Sequence, residues 1–235
     1  MNHTRKQGFT LVELMLAMGF VSALLLAIAM TVIQISNIYT RGITFTNVNQ
    51  EGGAIANELQ KSISGVKGFD LGTYFINNTD SGRLCTGKYS YVWNNGYYLN
   101  NPGSNPIQYT GTDVGTKIYF AKVYDPSFSV CTKSGLPLKY PGIVKANTVE
   151  LLNSGQFNLA IHGLKIASYV SDGTTGQSLY SIEFYIGTNQ DNAFVDPSVP
   201  LPVCSQTGIT ANPFYCSVSQ FNVLARSGSA TNDSN

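Results

Sequence analysis

A long uncharged run near the amino terminus constrains this chain more than any other feature. No charged residue occurs between Glu13 and Arg41, and within Leu14–Ile33 the only hydroxyl side chains are Ser22 and Thr31. A helix needs about 20 apolar residues, at about 1.5 Å each, to cross the hydrocarbon core of a bilayer. The run therefore predicts a membrane-spanning helix rather than a core helix.

The flanks of this run set its expected orientation. His3, Arg5 and Lys6 precede it, and the polar bulk of the chain follows it, which predicts a cytoplasmic amino terminus and an exported remainder. An ordinary secretory signal is excluded, because the apolar run is too long for one and no Ala-x-Ala cleavage site follows it.

One short motif stands at the start of the run. The residues Gly8-Phe9-Thr10-Leu11-Val12-Glu13 resemble the processing site of type IV pilins and the related pseudopilins, in which a membrane peptidase cuts after the glycine and methylates the new amino-terminal phenylalanine. The resemblance implies a cleaved leader over residues 1–8 and a mature chain that begins at an N-methylated Phe9. It covers the motif and the long helix behind it, about a quarter of the chain.

The resemblance also implies a role for Glu13. A carboxylate facing lipid is costly and usually has a partner and a function. In the family this glutamate pairs with the terminal amine of a neighbouring subunit during filament assembly, so we expect Glu13 to guide assembly. Its presence argues against the tip-specialised pseudopilins, which lack it. A glutamate that merely sits at headgroup level is the structural alternative.

The implied function is that of a non-enzymatic structural subunit of a type IV pilus, with a large head that favours a minor pilin. Its implied partners are other pilin subunits, the prepilin peptidase and the assembly machinery. The chain would reside in the cytoplasmic membrane and then in an extracellular pilus. The alternatives are a type II secretion pseudopilin and a membrane-anchored adhesin or binding domain that never polymerises.

The helix is predicted to continue beyond the membrane. We assign residues 9–38 to the transmembrane or filament-core helix and 39–68 to an amphipathic continuation that lays one face on a sheet. Gly52 and Gly53 predict a bend, a close helix–sheet contact or local melting; Gly19 and Gly42 are weaker candidates for melting. The apolar stripe comprises Ile43, Val48, Gly52, Ile55, Leu59, Ile63 and Val66.

The remaining chain predicts an exported, β-rich head over residues 69–227 and a disordered tail over 228–235. The expected fold class is α+β, with the long helix packed on an antiparallel sheet as in the pilin fold. Residues 70–115 read as a long decorated loop with at most short strands. Strands are predicted over Thr116–Tyr124, Gln156–Ile161, Leu164–Val170, Leu179–Ile186 and Phe214–Leu224.

Two features of the head allow more than one interpretation. The segment Lys88–Asn100 is rich in tyrosine; exposed, it would form an adhesive or sugar-stacking surface, and buried, it would be core. The exported head favours disulfides, and four cysteines allow three pairings. The resemblance, with its C-terminal disulfide loop, favours Cys85 with Cys131 and Cys204 with Cys216.

Other chemistry finds little support in the sequence. His162 is the only histidine after the leader, and we interpret it as a surface or loop residue. Neither a phosphate-binding loop nor a dinucleotide-binding fingerprint occurs. We therefore expect that the protein is not an enzyme and holds no cofactor or metal. Zinc would need close cysteine pairs that are absent. A calcium loop at Asn189, Asp191, Asn192 and Asp196 fits no EF-hand. DNA binding would use Lys117, Lys122, Lys133, Lys139 and Lys145, yet the mature chain has 12 basic and 13 acidic residues, and a solvated face is preferred.

Overall fold

The chain is described by a computed structural model as an α+β protein with one long amino-terminal helix and two antiparallel sheets. The structure describes residues 10–101, 103–131, 142–155, 158–172, 176–190, 193–199, 201–205 and 216–228. The predicted fold class is thereby confirmed in its coarse form.

Helix α1 runs without a break from Leu11 to Ser64. Thr10 is its N-cap, and Gly65 ends it by donating its backbone N–H to the carbonyl of Lys61 at 3.2 Å. The 54 residues correspond to a rod of about 80 Å. Helical geometry persists through all four glycines for which we considered melting.

The first sheet is a five-stranded antiparallel meander in the order β1-β2-β3-β4-β5. Its strands are β1 (Phe75–Asn77), β2 (Ser81–Thr86), β3 (Tyr89–Asn94), β4 (Phe120–Tyr124) and β5 (Thr148–Leu152). Two short helices, α2 (Leu71–Tyr74) and α3 (Gly96–Asn100), stand before β1 and after β3.

The second sheet is a three-stranded antiparallel meander formed by β6 (Leu159–Asp172), β7 (Gln177–Thr188) and β8 (Val218–Arg226). In β6 the register with β7 shifts between Ile161 and Gly163, so that His162 is an extra residue. This β-bulge turns Ile161 and Leu164, three positions apart, toward the same core. The two strands predicted over 156–161 and 164–170 are therefore one bulged strand.

Helix α1 packs against both sheets through one stripe of buried residues. The predicted positions Val48, Gly52, Ile55, Leu59 and Ile63 are all buried. Thr44 replaces the predicted Ile43, which is 36% exposed, because the spacing of four from Val48 places residue 44 rather than 43 on this face. Val66 lies beyond the end of the helix.

The core beneath this stripe is shared by the two sheets. The alternation predicted along β7 is confirmed from Tyr180 to Phe184, whose inward side chains have no exposed surface, but it ends at Tyr185, which is also buried. The large side chains that the two sheets bury without any exposed surface in this core are Leu84, Tyr91, Trp93, Phe120, Ile161, Tyr180, Ile182, Phe184 and Ile186.

The interpretation of residues 70–115 as a decorated loop with at most short strands is wrong for residues 71–100, which contain α2, β1, β2, β3 and α3. Strands β2 and β3 lie in this segment and pair over six residues. All of β2 is buried, so its sequence SGRLCT shows no inside–outside alternation. Its buried Arg83 donates to the backbone carbonyls of Val130 and Cys131, which lets a charged residue occupy an interior strand.

Two disulfides pair the cysteines in the arrangement favoured above. Cys85 pairs with Cys131 and Cys204 pairs with Cys216, with Cα–Cα distances of 6.3 and 5.8 Å. The first joins β2 to the segment after β4. The second lies beside Ala193 and Phe194.

The final residues follow the prediction only in part. The backbone N–H of Gly228 donates to the carbonyl of Val66 at 2.7 Å, so this residue is tied to the end of the helix rather than disordered. Residues 229–235 lie outside the described part of the chain.

Candidate functional site: the exposed helix and the head

The amino-terminal half of α1 is an unpartnered apolar surface. Every residue from Thr10 to Ser36 is exposed, including Leu16 at 74% and Phe20 at 69%. By length and composition, this helix is able to cross a membrane. Burial in the head begins at Thr44, so the chain changes surroundings within about two helical turns of Tyr39, where the sequence predicted it.

Glu13 closes a capping box at the start of this helix. Its Oε2 accepts a hydrogen bond from the backbone N–H of Thr10 at 2.9 Å and from the Thr10 hydroxyl at 2.8 Å. The backbone N–H of Glu13 donates to Thr10 Oγ1 at 3.3 Å. Such a box satisfies donors that the helix start leaves unpaired. Sequence reasoning missed this local role, although a threonine three residues before a glutamate is its usual signal. Gly8 and Phe9 lie outside the described residues.

A polar cluster around Glu58 joins the helix to the five-stranded sheet. Glu58 Oε1 accepts from Lys122 Nζ at 2.6 Å and from the Tyr91 hydroxyl at 2.9 Å. Partial burial alone would raise the pKa of Glu58, but the two hydrogen bonds and the lysine charge outweigh it, and this pKa lies below its ordinary value. Lys122 Nζ also lies 4.0 Å from the ring centre of Tyr89. The cluster fixes the rotation of the helix on the sheet.

The lysines considered for DNA are committed to local contacts where the structure describes them. Lys122 donates to Glu58 in the polar cluster described above. Lys145 Nζ lies 3.5 Å from Glu150 Oε1, and Lys117 donates to the backbone carbonyl of Leu99. Lys133 and Lys139 lie outside the described residues. The three described lysines therefore form no free cationic stripe.

The residues considered for metal binding have other partners in the described part of the chain. Asp196 accepts from the backbone and hydroxyl of Ser198 at 2.9 and 2.6 Å, and Asn189 exchanges amide hydrogen bonds with Asn100. Asp191 and Asn192 lie outside the described residues. No group of three or more histidine, cysteine or acidic side chains comes together among the residues that the structure describes.

His162 is buried, which corrects its interpretation as a surface or loop residue. Only 5% of it is exposed, and its Nε2 lies 3.2 Å from the carbonyl of Thr188. Burial lowers the pKa of His162 to about 4, against the smaller opposing effect of its backbone hydrogen bonds. The ring is therefore neutral at pH 7, and its Nε2 is the donor to Thr188.

The tyrosine-rich segment divides between the two interpretations. Tyr91 and Trp93 are fully buried in the core, whereas Tyr89 is 38% exposed. Tyr97 and Tyr98 are half-buried and line a cavity.

Comparisons of the chain with protein-family models, with curated proteins and with solved structures found no match.

Proposed function

We propose that this protein is a structural subunit of a type IV pilus or a closely related filament, and that it adopts a pilin fold. One observation carries the proposal. A processing-type sequence, Gly8-Phe9-Thr10-Leu11-Val12-Glu13, immediately precedes a helix whose first half is apolar and exposed while its second half is anchored in a disulfide-bonded head. A subunit that moves from a lipid bilayer into a helical bundle needs both halves.

The proposed mechanism begins in the cytoplasmic membrane. The exposed half of α1 holds the chain there, with the head outside, and a prepilin peptidase removes residues 1–8 and methylates Phe9. Extraction into the filament exchanges lipid contacts for helix–helix contacts. Because lipid and neighbouring helices are similarly apolar, this exchange sets register only weakly.

Glu13 supplies the register in this mechanism. Both hydrogen bonds from Thr10 end on Oε2, and a carboxylate has a second oxygen for the amine of a neighbouring Phe9. Within a lone subunit, the capping box also reduces the cost of carrying the carboxylate into the membrane. Glu13 thus caps the helix in the membrane-inserted subunit and pairs with the neighbouring amine in the assembled filament.

Two substitutions separate these roles of Glu13. Glu13→Ala removes both the charge and the cap, whereas Glu13→Gln removes the charge but retains the capping box, because glutamine is accepted at this position. We expect both variants to insert and to be cleaved, and both to be several-fold depleted from sheared filaments measured by quantitative mass spectrometry. Normal incorporation of Glu13→Gln would show that the cap, and not the charge, matters.

The amino terminus of the surface protein tests the proposal as a whole. Mass spectrometry of sheared filaments should find a methylated Phe9 as the first residue. Low abundance relative to other pilins is expected, because the large head favours a minor subunit; dominance would indicate a shaft subunit. Recovery with secretion machinery would favour a pseudopilin. An intact leader without filament association would overturn the proposal in favour of a membrane-anchored adhesin.

A further inference from the structure

A cavity of about 450 Å³ lies between the last turns of α1 and the hairpin that joins β2 to β3. Glu58 and Lys61 line it from the helix, and Lys88 and Tyr89 line it from the hairpin. Glu58 lies about 70 Å along the helix from Leu11, so the cavity is at the end of the rod opposite its exposed apolar half. Its volume falls within the range of about 300–1,000 Å³ that holds small ligands.

The walls of this cavity are held in place by close contacts. Gly87 and Lys88 form the two-residue turn between β2 and β3, and Gly87 has a φ of +56°, which glycine adopts without strain. A Cβ at position 87 would lie 2.6 Å from Cγ1 of Val66, so the turn packs tightly against the residue that follows the helix end. The hydroxyls of Ser62 and Thr86 are hydrogen-bonded at 2.6 Å. The cavity is therefore formed before any ligand enters it.

The charged side chains of the lining favour an anion. It contains three lysines, Lys61, Lys88 and Lys122, and one acidic residue, Glu58. Glu58 pairs with Lys122, whereas Lys61 and Lys88 are exposed and form no ion pair with the described residues. The end of α1 contributes a partial negative charge of about half an elementary charge, which the two free lysines outweigh.

Glu58 also offers the ligand a hydrogen-bond acceptor. Both of its hydrogen bonds, from Lys122 and from Tyr91, end on Oε1. No described residue donates to Oε2, yet this oxygen is not one of the side-chain atoms that are buried without a partner, so it retains contact with solvent. A ligand that uses the whole site must therefore carry hydroxyl donors as well as an anionic group.

Tyr89 gives the cavity an apolar surface. It is 38% exposed. Its ring is positioned by Lys122, whose Nζ lies 4.0 Å from the ring centre, and by the ring of Tyr124, whose centre is 5.7 Å away. An exposed aromatic ring of this kind favours a ligand with a C–H face. Inorganic phosphate and sulfate have the required charge but no such face, and a neutral sugar has the face but no charge.

We propose that this cavity binds the ring of a hexuronate, whose carboxylate pairs with Lys61 and Lys88, whose hydroxyls donate to Glu58 Oε2, and whose C–H face packs beside Tyr89. Charge-assisted hydrogen bonds between lysine and carboxylate are among the stronger polar contacts. The inference goes beyond filament assembly, since it concerns the head alone.

The first test compares ligands on the full chain in a detergent without a sugar headgroup. Saturation-transfer NMR is recorded with the methyl glycosides of glucuronic acid and galacturonic acid, and we expect transfer to at least one of them. Three comparators each lack one part of the proposed ligand: methyl glucoside lacks the carboxylate, cyclohexanecarboxylate lacks the hydroxyls, and N-acetylaspartate amide lacks the ring. Absence of transfer from both uronides would overturn the proposal. Equal binding of any comparator would also overturn it, and in the last case would favour an acidic peptide.

The second test removes the two free charges one at a time. We expect Lys61→Gln and Lys88→Gln each to bind the uronide about fivefold to tenfold more weakly, and added salt to weaken binding to the native chain. Lys165→Gln is the matched control, because Lys165 is an exposed lysine on the other sheet, and it should bind as the native chain does. Unchanged affinity in both cavity variants, or an equal loss in the control, would overturn the proposal. None of these results depends on whether the chain enters a filament.

Discussion

The two adjacent glycines of α1 provide a matched pair of substitutions. A Cβ added at Gly52 would lie 2.0, 2.2 and 2.7 Å from three atoms of the Phe221 ring, whereas the same atom at Gly53 has no neighbour within 4 Å. Phe221 is itself stacked on the fully buried Phe184, with centroids 5.2 Å apart and planes at 14°. The ring at position 221 is half-buried, so making room for a Cβ at Gly52 shifts it and weakens its stacking on Phe184.

The expected magnitudes follow from this geometry. Glycine inside a helix costs about 0.5–1 kcal/mol relative to alanine, so Gly53→Ala should stabilise the protein by that amount. Gly52→Ala gains the same helix-propensity stabilisation, but its Cβ overpacks against Phe221 at a cost of about 1–3 kcal/mol. The two variants should thus differ by about 1–3 kcal/mol in their free energies of unfolding, with Gly52→Ala the less stable.

Thermal unfolding of the full chain in detergent, followed by near-UV circular dichroism, measures this difference. A chain of this size shifts its midpoint by about 2–4 °C per kcal/mol. In a Phe221→Leu background, the penalty of Gly52→Ala should shrink, because the two side chains are in contact. Equal midpoints for Gly52→Ala and Gly53→Ala would refute the close helix–sheet contact.

Two further predictions concern polar groups of the head. Burial lowers the pKa of His162 from 6.5 to about 4, so unfolding takes up a proton as the pH falls below 6.5; the free energy of unfolding should drop by roughly 2 kcal/mol between pH 7 and pH 5. Thermal unfolding should show this loss in the native chain and not in His162→Gln, and an equal pH dependence in both would contradict it. Lys122→Ala should destabilise the head by about 1 kcal/mol, because it removes the ion pair with Glu58. Lys145→Ala should cost less, because the ion pair of Lys145 with Glu150 is longer and its lysine is more exposed. Equal urea midpoints for the two variants would argue against a stabilising role of the Glu58 cluster.

The helix was the easiest element to predict, because its two halves have different and simple periodicities. The first half is apolar all round, and the second carries one stripe at steps of three and four from Thr44 to Ile63. The start of the stripe was wrong by one residue. Ile43 is the more apolar side chain, but the register of the helix places Thr44 against the head.

The five-stranded sheet was partly missed for a physical reason. Strand β2 is buried throughout and β3 beyond its first residue. The charged side chain of β2, Arg83, is satisfied by the distant backbone carbonyls of Val130 and Cys131. Local sequence does not reveal such long-range partners. The alternation along β7 was predicted, in contrast, because its inward side chains are apolar and its outward ones polar.

The buried position of His162 was hidden from sequence reasoning by the β-bulge that contains it. We read His162-Gly163 as a turn signal between two strands. His162 is instead an extra residue in a continuous strand, and that insertion places its ring beside Asn95 from the other sheet. Asn95 Oδ1 and His162 Nδ1 are buried polar atoms without a hydrogen-bond partner among the described residues, and local sequence reveals neither, because the environment of each is built from segments far apart in the chain.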